Sequence, residues 1–156
     1  MKKELLITKR HLPHWELQGA IYFITFRTLR QTLEEAEQKI TLEVIKCKHQ
    51  QLYNLIAAIV MPDHVHLILS IYEGFSLSKI MQSIKGVSAR KINIYRATEG
   101  SIWQTESFDR IVRSESDFQE KLNYMWYNPV KKGLVVEPQD YPGWYFNSEF
   151  EDFIIR

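Results

Sequence analysis

The 156-residue sequence predicts an α+β fold built on a four-stranded antiparallel sheet. Three observations predict it. Apolar, β-prone runs alternate with two long stretches of helical periodicity, a Pro-Asp turn joins two neighbouring runs as in a hairpin, and a third helical stretch follows the last strand. With 45% apolar residues the chain can bury one core, so we expect a single domain over residues 1–156.

The elements follow one another as β-α-β-β-α-β, with a helix at the end. The predicted strands cover residues 20–28, 52–61, 64–70 and 102–113, and the predicted helices cover 32–48, 76–96 and 116–128. This order is the ferredoxin-like split pattern, in which two helices cover one face of the sheet. The last helix would then cover the other face. We expect it to end before Pro129, because proline removes a donor and clashes with the preceding turn.

The charge balance and the cysteine content exclude some classes of protein and of binding site. Twenty Lys and Arg balance nineteen Asp and Glu, so nucleic-acid binding would depend on local basic clusters and not on the overall field. The single cysteine, Cys47, excludes an internal disulfide framework and a multi-cysteine zinc site, which suits a reducing cytoplasm. No apolar run is long enough to cross a bilayer. We therefore expect a cytoplasmic protein without a membrane partner.

Two histidines lie one residue apart in the strand that follows the Pro-Asp turn. Because alternate side chains of a strand share a face, His64 and His66 project side by side as a potential pair of metal ligands. Such pairs are more often held by ordinary hydrogen bonds, so the pattern alone leaves both interpretations open. The last helix carries Tyr124 and Asn128 one turn apart. Docked over the histidine strand, this helix would bring a phenol and a carboxamide to the imidazoles.

Five segments, in this order along the chain, resemble the HUH single-tyrosine transposases. They are RHLPHWELQGAIYFITFR, MPDHVHLIL, LSKIMQSIKGVSARKIN, WQTESFDRIVR and YMWYNPVKKGLV. Within that group they are most similar to the REP-associated tyrosine transposases, which are IS200-like. The resemblance implies a divalent-metal-dependent endonuclease and strand transferase that acts on single-stranded DNA with a REP-like or transposon-end hairpin.

The resemblance also implies roles for individual residues. His64 and His66 would be metal ligands, Tyr124 the nucleophile and Asn128 the third ligand or a polar partner, with Mg²⁺ or Mn²⁺ as the metal. Tyr127 is the competing nucleophile, but the tyrosine of the family motif lies four residues before the Asn of Asn-Pro, as Tyr124 does. Cleavage would give a 5′-phosphotyrosyl enzyme and a free 3′-hydroxyl, and a second 3′-hydroxyl would reseal the strand.

DNA contacts are predicted for basic residues in three parts of the chain. Phosphate contacts are predicted for Lys85, Arg90, Lys91, Lys131 and Lys132, and a groove or stacking contact is predicted for Arg10 near the N-terminus. Asp63 stands where Asn is common in the family, and it either orients an imidazole or serves only as a turn residue. Two alternatives remain: a hairpin-binding protein of the same fold that has lost cleavage, and a hydrolase without a tyrosyl intermediate. The protein is expected to be a monomer or a homodimer.

Overall fold

The computed structural model describes residues 20–149. They form one antiparallel sheet with the strand order β4-β1-β3-β2-β5. The strands are β1 (Ile21–Thr28), β2 (Tyr53–Val60), β3 (His64–Ile71), β4 (Trp103–Val112) and β5 (Trp144–Phe146), and the helices are α1 (Glu35–Cys47), α2 (Leu77–Arg96) and α3 (Glu115–Lys131). No helix in this range combines the length and apolar character needed to cross a bilayer.

The α+β fold class is confirmed, with one correction, because the sheet has five strands where the sequence predicted four. The extra strand, β5, pairs with β2, with Trp144 opposite Ile59 and Phe146 opposite Ala57. A three-residue strand is too short to give a recognisable alternation of apolar and polar residues. The segment after α3 therefore packs back onto the sheet, where the hydroxyl of buried Tyr141 donates to the carbonyl of Val60 at 2.6 Å.

Each face of the sheet carries its own core. Leu55, Val65 and Leu67 belong to the core that α1 and α2 cover. Ile59 and Ile68 belong to the core on the opposite face, which α3 covers with a buried stripe formed by Phe118, Leu122 and Met125. Because side chains alternate along a strand, the face of β3 opposite Val65 and Leu67 is the α3 face. The imidazoles of β3 therefore lie on the α3 side.

Helix α3 ends three residues later than the sequence predicted. It begins after Ser114, whose hydroxyl accepts a hydrogen bond from the backbone of Asp117 at 3.0 Å. Pro129 lies inside its last turn, so the expectation that the helix ends before this proline was wrong. Proline there removes only the bond to the carbonyl four residues earlier. The turn is preserved because the N–H of Lys132 donates to the carbonyl of Asn128 at 3.1 Å.

The ion pair between α1 and α2 makes stability depend on pH. Burial alone would raise the pKa of Glu37, but hydrogen bonds from Arg96 and the Glu34 backbone, and the charge of Arg96, bring it below the ordinary 4.5. A lowered carboxyl pKa stabilises the fold above the pKa of the unfolded chain, and this contribution is lost as pH falls through the folded-state pKa. We expect urea midpoints of the wild type to fall more steeply below pH 4.5 than those of Glu37→Gln. Parallel curves for the two proteins would contradict this.

The approach of residue 143 to β2 can be tested with a pair of glycine substitutions. The N–H of Val60 donates to the carbonyl of Gly143 at 2.9 Å, and a Cβ at position 143 would lie 2.5 Å from the carbonyl oxygen of Val60. We expect Gly143→Ala to destabilise the protein by about 1–3 kcal/mol. Gly86→Ala, within α2, meets nothing within 4 Å and should stabilise it by about 0.5–1 kcal/mol. Urea unfolding measures both, and a fully stable Gly143→Ala variant would refute the close packing at β2.

Candidate active site

The register between β1 and β3 forms the floor of the candidate site. Thr25 lies opposite His66 and Arg27 opposite His64, and directly opposed residues of a sheet share a face. The His66 ring stacks on Phe23 with 5.2 Å between ring centroids, and the two imidazoles are 4.7 Å apart. The two histidines thus stand side by side among β1 side chains.

Hydrogen bonds hold the Nδ1 side of each imidazole. Nδ1 of His64 lies 2.7 Å from the carboxylate of Asp63, so this nitrogen carries the proton and donates it. Nδ1 of His66 lies 2.7 Å from the hydroxyl of Thr25. Nε2 of His66 is buried and has no hydrogen-bond partner within residues 20–149. A buried polar atom without a partner is uncommon in folded proteins and is characteristic of sites that receive a ligand.

Both imidazoles are held in the neutral form. Burial, followed by the charges of His64 and Arg27, lowers the pKa of His66 to about 3. Burial also lowers the pKa of His64, and the hydrogen bond with Asp63 opposes this effect only in part. At neutral pH each imidazole therefore keeps a lone pair, which is the form that binds metal ions.

Helix α3 lies over the histidines with one face. The Tyr124 ring packs edge-on against His66, with 5.3 Å between centroids. Two turns further along the chain, the charge of Lys132 lowers the pKa of His64, so this end of the helix is near the second imidazole. Asn128 lies between them at helical spacing, is 3% exposed, and its Oδ1 has no hydrogen-bond partner in the described part of the chain. The carboxamide is therefore on the side that faces the histidine pair.

A cleft of about 470 Å³ opens beside the tyrosine. Its walls are Phe23, Thr25, Arg27, His66, Phe108, Glu120, Lys121 and Tyr124. The side chain of Tyr124 is 46% exposed and contributes to the cleft, whereas Tyr127 does not line it. A ligand in this cleft can therefore reach the Tyr124 ring from solvent.

The donor set fits a divalent ion. Within residues 20–149 no three His, Cys, Asp or Glu side chains cluster as metal ligands, and the set found here combines two imidazoles with one carboxamide. The two buried atoms without partners, Nε2 of His66 and Oδ1 of Asn128, are atoms that bind metals. Mixed nitrogen and oxygen ligation suits Mn²⁺ or Mg²⁺ in such sites. A carboxylate on the far nitrogen, as Asp63 provides for His64, is the usual support of a ligating imidazole.

Arg27 is a residue of this site that the sequence analysis missed. It is exposed, lines the cleft, and lowers the pKa values of both histidines through its charge. Of the predicted basic residues, Lys131 has its ammonium 6.0 Å from the Tyr124 ring centroid, and the charge of Lys132 lowers the pKa of His64, the histidine opposite Arg27. The strand alternation of β1 put Arg27 on the Phe23 face, but the register that places it opposite His64 could not be identified from the sequence.

The other predicted phosphate-binding residues of the described chain lie away from the tyrosine. Arg90 and Lys91 are exposed on α2, which covers the opposite face of the sheet. The ammonium of Lys85 donates to the carbonyls of Gln104 and Thr105 at 2.6 and 3.1 Å, so it holds the backbone of β4. Arg10 lies outside the described residues. The structure thus brings Lys131 to Tyr124 and Lys132 to His64, and it separates Lys85, Arg90 and Lys91 from the tyrosine.

The chain has clear relatives in sequence and in structure. A REP-associated tyrosine transposase of Escherichia coli K12 is 28% identical, over 81% of this chain and 76% of that protein. A protein of Haemophilus influenzae that is named a putative REP-associated tyrosine transposase is 26% identical, over 80% of this chain and 78% of that protein. A solved structure of a REP-associated tyrosine transposase bound to a REP hairpin matches with a TM-score of 0.69 and 25% identity, covering 81% of this chain and 76% of that one.

Residues 20–120 match the family model described as transposase IS200 like. This span is more than half of the sequence and includes β1 to β4 with both histidines, while Tyr124 and Asn128 follow it. The chain therefore belongs to the IS200-like transposase family and shares its transposase-like role in processing DNA.

Proposed function

We propose that this protein nicks and rejoins single-stranded DNA that carries a hairpin, through a covalent bond between Tyr124 and a 5′ phosphate. One observation carries the proposal. The exposed ring of Tyr124 packs on His66, and Nε2 of His66 and Oδ1 of Asn128 are buried without hydrogen-bond partners among residues 20–149. The related structure with a REP hairpin supports hairpin DNA as the partner.

The proposed reaction is a reversible transfer of a phosphoryl group. The phenol oxygen of Tyr124 attacks phosphorus and loses its proton, while the bond from phosphorus to the 3′ oxygen breaks and that oxygen gains a proton. The products are a 5′-phosphotyrosine and a free 3′-hydroxyl. A 3′-hydroxyl from another strand then attacks the phosphotyrosine and regenerates the phenol, so the enzyme transfers a strand and does not simply hydrolyse it.

His64, His66 and Asn128 would hold the divalent ion. A bound ion would supply positive charge that stabilises the negatively charged phosphate during the transfer. Residues of the chain itself orient the two imidazoles and keep them neutral. Asp63 and Thr25 occupy the Nδ1 atoms, which leaves the Nε2 atoms available, and burial keeps the imidazoles neutral.

The phosphate backbone would be attracted by cations around the tyrosine and the histidine pair. Arg27 lies on the β1 side, and Lys131 and Lys132 lie at the end of α3. Since the net charge of the chain is only +1, such a local cluster has to supply the attraction for DNA. These contacts carry no sequence information, so they position the strand and do not select it.

Substitution of the nucleophile tests the proposal directly. We expect wild-type protein incubated with Mn²⁺ and end-labelled REP-type hairpin oligonucleotides with unpaired flanks to form a protein–DNA adduct that survives denaturing electrophoresis. Tyr124→Phe should abolish the adduct, because the Tyr124 phenol lines the cleft and packs against His66. Tyr127→Phe, the matched control on the same helix, should retain it.

The remaining outcomes separate the alternatives. An adduct that persists in Tyr124→Phe and disappears in Tyr127→Phe would assign the nucleophile to Tyr127. Binding without nick or adduct would favour a hairpin-binding protein that has lost cleavage. Cleavage without an adduct would favour a hydrolase.

Metal removal and three further variants test the ligand set. We expect EDTA to abolish the adduct and Mn²⁺ to raise the thermal unfolding midpoint of the wild type, because a ligand that binds the folded state stabilises it. Asn128→Ala should lose most of this Mn²⁺-dependent shift.

Asp63→Ala should weaken Mn²⁺ binding by about 10- to 100-fold, because it frees the His64 ring. Asp63→Asn, which keeps an acceptor, should weaken it less.

Unfolding midpoints without metal are the control, because they report any loss of stability caused by the substitutions alone. Equal Mn²⁺-dependent shifts in the wild type and Asn128→Ala would remove Asn128 from the ligand set.

A further inference from the structure

The cleft beside Tyr124 has one wall that the proposed cleavage reaction does not use. Phe108 of β4 lies opposite Thr25 of β1, and Thr25 lies opposite His66 of β3. The three side chains therefore form a row across three strands on the α3 face. With strands about 4.8 Å apart, the ring stands about 10 Å from the histidine column and borders the same cleft as Tyr124.

Phe108 is 61% exposed although it is a large apolar side chain within the sheet. Strand β4 lies at one edge of the sheet, and among the described residues Val112 is the only residue of β4 in the core that α3 covers. An exposed aromatic ring on an edge strand invites association with other chains, and proteins usually place charged residues there. The exposed position of Phe108 at the mouth of the cleft points to a ligand that covers the ring.

The surroundings of Phe108 indicate a ligand that is both aromatic and anionic. Arg110 lies two residues along β4, on the same face and opposite Phe23, and Arg27 lies diagonally across on β1. Both arginines are exposed. Glu120 and Lys121 supply opposite charges on the α3 wall, and Lys121 is paired with Asp117 at 3.3 Å. An aromatic ring between cations is the arrangement with which proteins bind single-stranded nucleic acid.

We infer that Phe108 is the platform on which an unpaired base beside the cleaved phosphate stacks. This rests on the proposed function, since the phosphate bonded to Tyr124 sets where the neighbouring base lies. The cleft of about 470 Å³ is within the size range of small-ligand sites and accommodates a nucleotide. A base within a duplex has its faces covered by its neighbours, so the platform selects a cleavage site in an unpaired segment. Phe108 therefore positions the substrate. Because any base can stack on an aromatic ring, Phe108 does not recognise the hairpin, which other residues must do.

Binding measured without cleavage tests this inference. The probes are a short fluorescein-labelled oligothymidylate and an oligonucleotide of the same length whose sugars are abasic, both bound to protein that carries Tyr124→Phe. We expect Phe108→Ala to weaken binding of the oligothymidylate by about 5- to 150-fold and to leave binding of the abasic strand unchanged. Phe108→Trp should retain binding of the oligothymidylate, whereas Phe108→Leu should weaken it, because leucine keeps apolar bulk without an aromatic face.

A matched control is available in Phe75, which is also an exposed phenylalanine and precedes α2 outside the cleft. Phe75→Ala should change the affinity for neither probe. Equal weakening of both probes by Phe108→Ala, or no weakening of either, would overturn the platform. Unfolding midpoints check that each variant is folded, and the exposure of Phe108 predicts that they are.

The two proposals fail separately. Loss of the base-dependent effect in a protein whose wild-type form still makes the Tyr124 adduct would overturn the platform alone. A base-dependent effect without any adduct would overturn the nicking reaction and retain Phe108 as a stacking residue.

Discussion

The pairing of β1 with β3 determines which side chains meet beside the histidines. In the observed register the hydroxyl of Thr25 and the charge of Arg27 lie next to the two imidazoles. A slip of one residue would turn both to the opposite face and bring Phe26 into their place. Two buried cores resist such a slip, because every side chain of β1 would change face, and the backbone of Thr28 adds a hydrogen bond to Asp63 at 3.0 Å.

Helix α3 combines an anchoring face with a chemical face. Phe118, Leu122 and Met125 are fully buried, and such burial contributes about 1.5–3 kcal/mol per side chain. That packing fixes the rotation of the helix and places Asn128 in a buried position where its oxygen has no partner among residues 20–149. An unsatisfied buried polar group costs about 1–3 kcal/mol. The anchoring stripe offsets this cost, and a ligand that bonds to the amide would recover it.

The sequence analysis succeeded where the signal is local. The twofold alternation in MPDHVHLILS put both imidazoles on one face, and the helical spacing of Tyr124 and Asn128 put them on one side of α3, as the structure has them. It failed where the outcome depends on distant partners. Arg27 joins the site only through the pairing of β1 with β3, and the three residues of β5 become a strand only because β2 has a free edge.

Two further differences have the same origin. Lys85 was assigned to phosphate binding by its exposed helical position, but the carbonyls that receive its ammonium belong to β4, some twenty residues later. Pro129 was expected to end α3, whereas the buried contacts of α3 with the sheet maintain the helix beyond it. In both cases tertiary packing determines what a local pattern leaves open.

Burial of the proposed ligands also determines how DNA can approach them. His66 and Asn128 are each 3% exposed, while Tyr124 and Arg27 are accessible from the cleft. Under the proposed reaction a phosphate would reach the imidazoles through the cleft that Phe108 borders. A base that enters with it must leave its own stack, and the cost of unstacking is least for a base that is already unpaired. Under the proposed reaction, the enclosure that keeps the histidines neutral would therefore also favour an unpaired strand over a duplex.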